Sequence, residues 1–511
     1  MNKLSVTVLS FLCASGFSDA GDRQPPTTAT AAEATLYPIP NLTGSFWERE
    51  RLLGDLGGPR QTLAERGVQI DFNMTHTYQG VFDGGESQGW SQRVSDSLAD
   101  AVQDQLTRGL LRLEDSKTVF GRVLTQPIRR RGDITLGAVL QERINRLDFG
   151  GAPPGDVDDA EYQGTWRLEL KLDTAKMGLW PGGFIFMRAE QNYGRDINAR
   201  SGAVIPPNEN STLPLPGLDG VTIPHLTITQ FLSEHIALSV GKLDPTGGDA
   251  NEFAHIVGDD RFLGSAFACN PVVALTAPYS ALGAALLILP AKDFVLALSA
   301  IDTEGIATRS GFDTVWEGRT TYLAEGRLTT HIGGKVGHQL LGLVYASGEF
   351  AEFEQPLRAF VPGSGVSPSR ADETWAIYYN FDQYLWNPTV TTDSKGGSQI
   401  DPTHGVGIFG RVGFADESTS AIAQFYSFGA GGRGLGATRP NDRWGIGWYY
   451  MKTSRDLPDF LHLGDEQGAE AFYNFAVTPA FMITADLQVT DSAKEGIGTA
   501  VIGGLRATLR F

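Results

Sequence analysis

Two short rows of this chain place polar and ionisable side chains at every second position: Arg167, Glu169 and Lys171, then Arg188, Glu190 and Asn192. Successive side chains of an extended strand point to opposite faces, so each row presents one polar face. Guanidinium, carboxylate, ammonium and amide groups side by side offer both donors and acceptors. Mixed signs of this kind suit neutral polar solutes better than strong selection for one sign of ion. Arg411, in a later segment of the same pattern, belongs with them. Their structural use would be a ladder of charges bracing a wall. A further set, Lys242, Asp244, Asp249, Glu252, Phe253, Asp259, Asp260 and Arg261, falls in a stretch rich in Gly, Pro, Asn and Asp. That stretch either folds inward as a constriction or stays a solvated outer loop.

Bond-breaking chemistry finds less support. The eight histidines form no HExxH pattern, and no catalytic residue is assigned. Of the two cysteines, Cys13 lies in the N-terminal segment and leaves Cys269 alone, so neither an intrachain disulfide nor a cysteine metal cluster is expected. No metal or other cofactor follows from the sequence. The net charge of −18 leaves no basic excess to neutralise phosphates, which argues against nucleic acid as a partner.

The elements that must carry these rows are strands. Trp166, Leu168, Leu170 and Leu172 alternate with Arg167, Glu169, Lys171 and Asp173, a segregation no helix gives. Phe481, Ile483, Ala485, Leu487 and Val489 alternate in the same way with Met482, Thr484, Asp486, Gln488 and Thr490. Ile236–Val240 and Trp444–Tyr450 follow the pattern. Trp180, Trp444, Trp448, Tyr449 and Tyr450 read as an interfacial girdle or as packing. Short turn signals such as Trp180-Pro181-Gly182-Gly183 and Gly333-Gly334-Lys335 contrast with long connections at 195–222 and 247–278. No apolar run of about 18 residues lies beyond the extreme N-terminus, so helical spans are not expected. With 62 glycines and 10% aromatics, the chain reads as all-β, a transmembrane antiparallel barrel of about sixteen strands. Short periplasmic turns and long external loops would join them.

The ends fit export to a bacterial outer membrane. Lys3, the apolar stretch Leu4–Phe17 and Ser18-Asp19-Ala20 make residues 1–20 a cleavable signal peptide. Residues 21–66 form a periplasmic leader with a short helix, and 67–511 form the barrel. Leu505, Ala507, Leu509 and Phe511 close the chain on an alternating strand, where Phe511 serves as an assembly signal.

Several ordered motifs resemble one family. They are Leu53-Gly54-Asp55-Leu56-Gly57-Gly58-Pro59-Arg60 with Leu63-Ala64-Glu65-Arg66-Gly67-Val68, then Gly178–Gly183, then Gly241-Lys242-Leu243-Asp244-Pro245 with Phe262 and Ser265-Ala266-Phe267. Phe409-Gly410-Arg411, Arg439–Arg443, Gly468-Ala469-Glu470 and Gly504-Leu505-Arg506 follow in order. Over most of residues 42–85 and 162–511 the chain resembles the OprB-like carbohydrate-selective porins. That resemblance implies a short helix before the first strand and passive diffusion of small sugars through a water-filled pore, with no enzyme activity. A general or differently selective porin, and a structural or adhesive barrel, are the alternatives. The expected partners are sugars as solutes, outer-membrane lipid and the barrel-assembly machinery. A homo-oligomer stays open, since no interface signature is legible. Residues 86–161 depart from the family as an enlarged first loop, a selectivity device, or two additional strands.

Overall fold

The computed structural model describes residues 37–85, 160–212, 220–255, 260–315, 317–353, 360–361, 365–366, 369–391, 398–400, 404–434 and 439–511. The expected signal peptide and nearly all of the enlarged first loop lie outside the described residues.

The wall begins with β1 (Val68–Gly85), β2 (Glu161–Asp173), β3 (Gly183–Gly194), β4 (Thr222–Phe231) and β5 (Ile236–Leu243). It continues through β6 (Ala281–Ala291), β7 (Phe294–Asp302), β8 (Thr320–Ile332) and β9 (Lys335–Ala351). A small hairpin of β10 (Phe360–Val361) and β11 (Gly365–Val366) precedes β12 (Arg370–Trp386). A second hairpin, β13 (Thr389–Thr391) and β14 (Ser398–Ile400), precedes β15 (Gly405–Ala415). Then come β16 (Ile422–Arg433), β17 (Arg443–Thr453), β18 (Glu466–Thr478), β19 (Phe481–Asp491) and β20 (Gly498–Arg510).

Sixteen of these strands, all but the two hairpins, pair with their sequence neighbours, and β20 returns to β1 to close the barrel. The closing register runs antiparallel from Asn73 opposite Arg510 to Gly85 opposite Gly498. Closure pairs the backbone polar groups that an open sheet edge would leave bare, which is what a strand needs in hydrocarbon. The expected count of about sixteen is met, and β2 pairs directly with β1.

Alternation decides which face each residue takes. On β19, Ile483, Leu487 and Val489 are exposed outward while Thr484, Asp486, Gln488 and Thr490 are buried within. Ile70, Leu226, Leu343, Trp375, Ile446 and Trp448 extend the same outer apolar belt around the wall. Tyr449 turns inward instead, edge-on to Phe267 at 6.0 Å, so it is packing and not girdle.

At the end of the barrel where β1 starts, most connections are short, as at Gly333-Gly334 between β8 and β9. The exception there is 387–404, which carries the β13–β14 hairpin. The opposite end has the long segments 195–221 and 244–280. A helix at Pro59–Glu65 precedes β1, as the resemblance implied. Near it the leader crosses the closing seam: Leu52 N–H donates to the Arg510 carbonyl at 2.7 Å, and Arg60 Nη2 reaches the carbonyls of Ile70 and Phe511, both at 2.8 Å. Phe511 N–H in turn donates to the Phe72 carbonyl at 2.8 Å.

Candidate functional site

The segment 244–280, between β5 and β6, turns into the barrel and packs on the far wall. Its aromatic anchors need room there, and the wall supplies glycine. A Cβ on Gly407 would lie 2.4 Å from the Phe253 ring, one on Gly447 2.4 Å from Phe267, and one on Gly445 2.8 Å from Phe262. Phe262 packs against Phe267, Phe409 and Phe472 with ring centroids 4.5, 5.5 and 4.8 Å apart. Short helices at Ser265–Ala268 and Pro271–Thr276 fit the same buried face, and the Asn270 side chain accepts from Val272 N–H to start the second.

Polar bonds fix where the segment lies. Arg411 Nε meets Asp249 Oδ2 at 2.6 Å, and its other nitrogens donate to the carbonyls of Phe267 at 3.0 Å and Ala254 at 2.5 Å. Asn380 Nδ2 donates to the Asp249 carboxylate at 2.8 Å, and Glu325 accepts the Asp249 N–H at 2.9 Å. Asp382 accepts the Glu252 N–H at 3.1 Å, and Glu470 accepts the N–H groups of Leu263 and Gly264 at 2.5 and 2.9 Å. Burial pushes the Asp249 carboxyl up against the opposing pull of Arg411.

A second segment, 195–212, turns in beside it. Glu466 accepts the N–H groups of Val204 and Ile205 at 2.6 and 2.9 Å, and Gln488 Nε2 donates to the Pro207 carbonyl at 2.9 Å. Glu209 N–H donates to the Leu263 carbonyl at 2.8 Å, which ties the two segments together. Burial pushes the Glu209 carboxyl up to about 7.

All seven wall residues singled out from the sequence lie on inner faces, but they do not form one group. Arg167, Arg188 and Glu190 converge: both arginine Nε atoms stand 3.3 Å from Glu190 Oε2. Arg188 also pairs with Asp244, and the Tyr279 hydroxyl donates to Glu190. Glu169 and Lys171 belong to a separate network, with Lys171 Nζ 2.8 Å from Glu169 and 3.1 Å from Asp71. Arg51 of the leader joins Asp71 at 2.7 Å. Asn192 accepts from the Thr165 hydroxyl at 2.9 Å. Arg411 is sealed beneath the inward segment, as described above.

The constriction candidates spread along that segment, with Lys242 just before it on β5. Asp244 faces Arg188, and Asp249 faces Arg411. Glu252 accepts from the Tyr384 hydroxyl at 3.0 Å, and Phe253 packs on Tyr384 with centroids 5.0 Å apart. Lys242 Nζ is held by the carbonyls of Ala307 and Arg309 at 2.7 and 2.6 Å. Arg261 lies near Arg443, Asp260 and Glu252. Asp259 is outside the described residues.

Sequence reasoning missed three features. The carboxylates Glu325, Glu466 and Glu470 hold backbone N–H groups of the inward segments, and only their inner-face parity hinted at it. Segment 195–212 read as an ordinary loop. The inner face of β6 and β7 is apolar, with Ala285, Leu287, Ala297 and Ile301 lining a cavity of about 100 Å³ that Thr227, Thr229, Ser239, Asp244 and Tyr37 complete.

The comparisons agree with this architecture. Residues 158–511 match the family model described as carbohydrate-selective porin, OprB family. The high-pH structure of Pseudomonas putida OprB aligns with a TM-score of 0.67 at 16% identity, covering 92% of this chain and 100% of that one. Its low-pH structure aligns with a TM-score of 0.46 at 13% identity, covering 91% and 99%. The outer membrane channel DcaP of Acinetobacter baumannii gives a TM-score of 0.45 at 8% identity, covering 87% and 97%. The first likeness carries the fold; the other two carry no argument. No curated protein sequence matches the chain. The family match spans more than half of the residues, and the chain belongs to the OprB family of carbohydrate-selective porins, outer-membrane β-barrels.

Proposed function

We propose that small carbohydrates diffuse passively through the lumen, past a constriction that segment 244–280 forms with the polar inner faces of β2 and β3. The single observation that carries this reading is the contact of Arg188 with Asp244 and Glu190. It joins the inner face of β3 to the first residue of the inward segment, so the segment narrows the bore beside a row of mixed charge. Arg167, the most open of the group, meets the solute and exchanges hydrogen bonds with sugar hydroxyls, while the buried Arg188 and Glu190 hold it and set the charge beside the bore. Glu169, Lys171 and Arg411 serve the wall and the segment. Binding at such a place is weak and shared among several groups, because a solute that is held cannot leave. No cofactor is needed. In this reading residues 1–20 direct export.

Liposome swelling tests it, with the detergent-folded protein and glucose, larger oligosaccharides and an uncharged amino acid of glucose size. Glucose passing faster than the amino acid is the expected result. Equal rates would leave a general pore, and no swelling with any solute would reject the reading.

A further inference from the structure

The leader enters the lumen at the end where β1 starts, the short-turn end that barrels of this class turn to the periplasm. Its contacts there are with inner-face residues. Gln69 Nε2 donates to the Tyr37 carbonyl at 2.8 Å, and Arg51 Nε meets Asp71 at 2.7 Å. The Tyr37 ring stands edge-on to Phe184, which shares the inner face of β3 with Arg188, at a centroid distance of 5.6 Å. Its hydroxyl donates to the Ile185 carbonyl at 3.4 Å. Between Tyr37 and Arg51 the chain is braced on itself. Glu50 N–H donates to the Asn41 carbonyl at 2.7 Å, and Asn41 N–H donates to the Glu50 carboxylate at 2.9 Å. Tyr37 is buried as a result.

The same ring lines the cavity of about 100 Å³ that adjoins the Arg188–Asp244 pair. Asp244 lines it, and so do Phe186, one step below Arg188 on the same face, and His225, the register partner of Arg188 on β4. The cavity therefore begins where the contact of the inward segment with β3 ends, and it extends toward the short-turn end. One water needs about 10–15 Å³, so the space holds only a handful of waters and each lining side chain counts. The wall residues are fixed there by the register of the sheet. The inward segment is fixed by Arg188 and by the bond from Asp249 N–H to Glu325 at 2.9 Å. Among the described residues that line the space, Tyr37 alone comes from neither the wall nor that segment.

We propose that Tyr37 forms a second constriction, on the periplasmic side of the Arg188–Asp244 contact, and that it limits the size of solute the pore releases. The inference rests on the carbohydrate-porin reading and adds to it a specificity-determining residue supplied by the leader. What passes a pore depends on its diameter and on the groups that line it. A phenol ring turns on few torsions, and this one is held by Gln69 through its backbone and by Phe184 through its edge, so it presents a fixed obstacle. The polar groups at the upper constriction choose solute chemistry, and Tyr37 filters by size.

The test uses the full-length protein in planar bilayers and in swelling liposomes, with glucose and sucrose as the solutes. Tyr37→Ala should raise single-channel conductance about two-fold and raise the sucrose rate relative to glucose, because both follow the narrowest diameter. Tyr37→Trp should lower conductance and the sucrose-to-glucose ratio together. Tyr37→Phe keeps the ring and should match wild type in both. A heat-dependent shift in gel migration reports that each variant barrel is folded, and the Trp and Phe variants keep a packed ring should alanine prevent folding. A leader that only steadies the barrel would lower the unfolding temperature of the Ala variant and leave conductance and the sucrose-to-glucose ratio unmoved. That result, or Ala and Trp variants that shift in the same direction, would overturn the inference while the porin reading stands. Absence of glucose entry into wild-type liposomes would remove the porin reading itself, and the inference with it.

Discussion

Arg411 on β15 and Asp249 in the inward segment meet at 2.6 Å, with the guanidinium fully shielded from solvent. Asp249 holds φ at 53°, in the left-handed region that costs a non-glycine residue about 1–2 kcal/mol. The bonds from Arg411, Asn380 and Glu325 outweigh that cost, and Asn270 N–H adds another at 2.8 Å to the same carboxylate. One residue of the segment is thus tied to three wall strands and to its own downstream helix. The geometry makes Arg411 a positioning residue: it reaches no space a solute could occupy and acts by holding the segment that does.

Replacing Arg411 with Met should therefore change the channel more than the barrel. Breaking a buried pair by removing one partner leaves the other charge stranded, at about 3–5 kcal/mol. We expect the segment to loosen, with single-channel conductance higher and noisier than wild type while heat-dependent gel migration persists. Conductance traces indistinguishable from wild type would refute the positioning role.

Gly447 offers a steric version of the same experiment. A Cβ there would meet the Phe267 ring at 2.4 Å, so Gly447→Leu forces the ring out of its seat. Overpacking of this kind costs about 1–3 kcal/mol. Limited proteolysis should cut within 244–280 faster in the variant, with the wall strands still protected. Unchanged cleavage would mean that the segment does not depend on that seat.

How much of this was legible in the sequence depends on what each strand has on its two sides. On β2 and β19 lipid lies outside and polar groups inside, so period two stands out and the faces of Arg167, Glu169 and Asp486 could be read directly. On β6 the inner residues Ala285, Leu287 and Leu289 are as apolar as the outer Leu286 and Ile288, and the alternation disappears. The cavity wall they form was consequently invisible. Parity also says nothing about distance across the lumen. It put Arg411 on an inner face, but its partner Asp249 lies 162 residues earlier in the chain, and only the fold brings them together. For the same reason Glu466 and Glu470 could not be recognised as the acceptors that hold the two inward segments.

The pH dependence of segment 195–212 follows from Glu209, whose carboxyl is raised by burial from 4.5 to about 7. The folded state binds this proton more tightly than the unfolded chain does. Its contribution to docking is therefore complete below pH 4.5 and is lost as pH rises through about 7, on the order of 3 kcal/mol across that window. Hydrogen exchange at the Glu209 amide, which is bonded to Leu263, should accelerate between those limits. In Glu209→Gln only the intrinsic base-catalysed acceleration should remain. Exchange that slows with pH, beyond its intrinsic base catalysis, would contradict the sign.

The outer face of β19 tests the membrane itself. Leu487 is 49% exposed and stands in the apolar belt between Ile483 and Val489. On the surface of a water-soluble barrel, Leu487→Arg would be nearly neutral, within about 0.5 kcal/mol. Facing hydrocarbon, the same change costs about 2–4 kcal/mol near the bilayer midplane and less toward the interfaces. Denaturant unfolding from lipid vesicles should show that loss for Leu487→Arg and a smaller one for the same change at Ile70, which lies near the turn end of β1. Equal and negligible effects at both positions would mean that this belt does not face lipid.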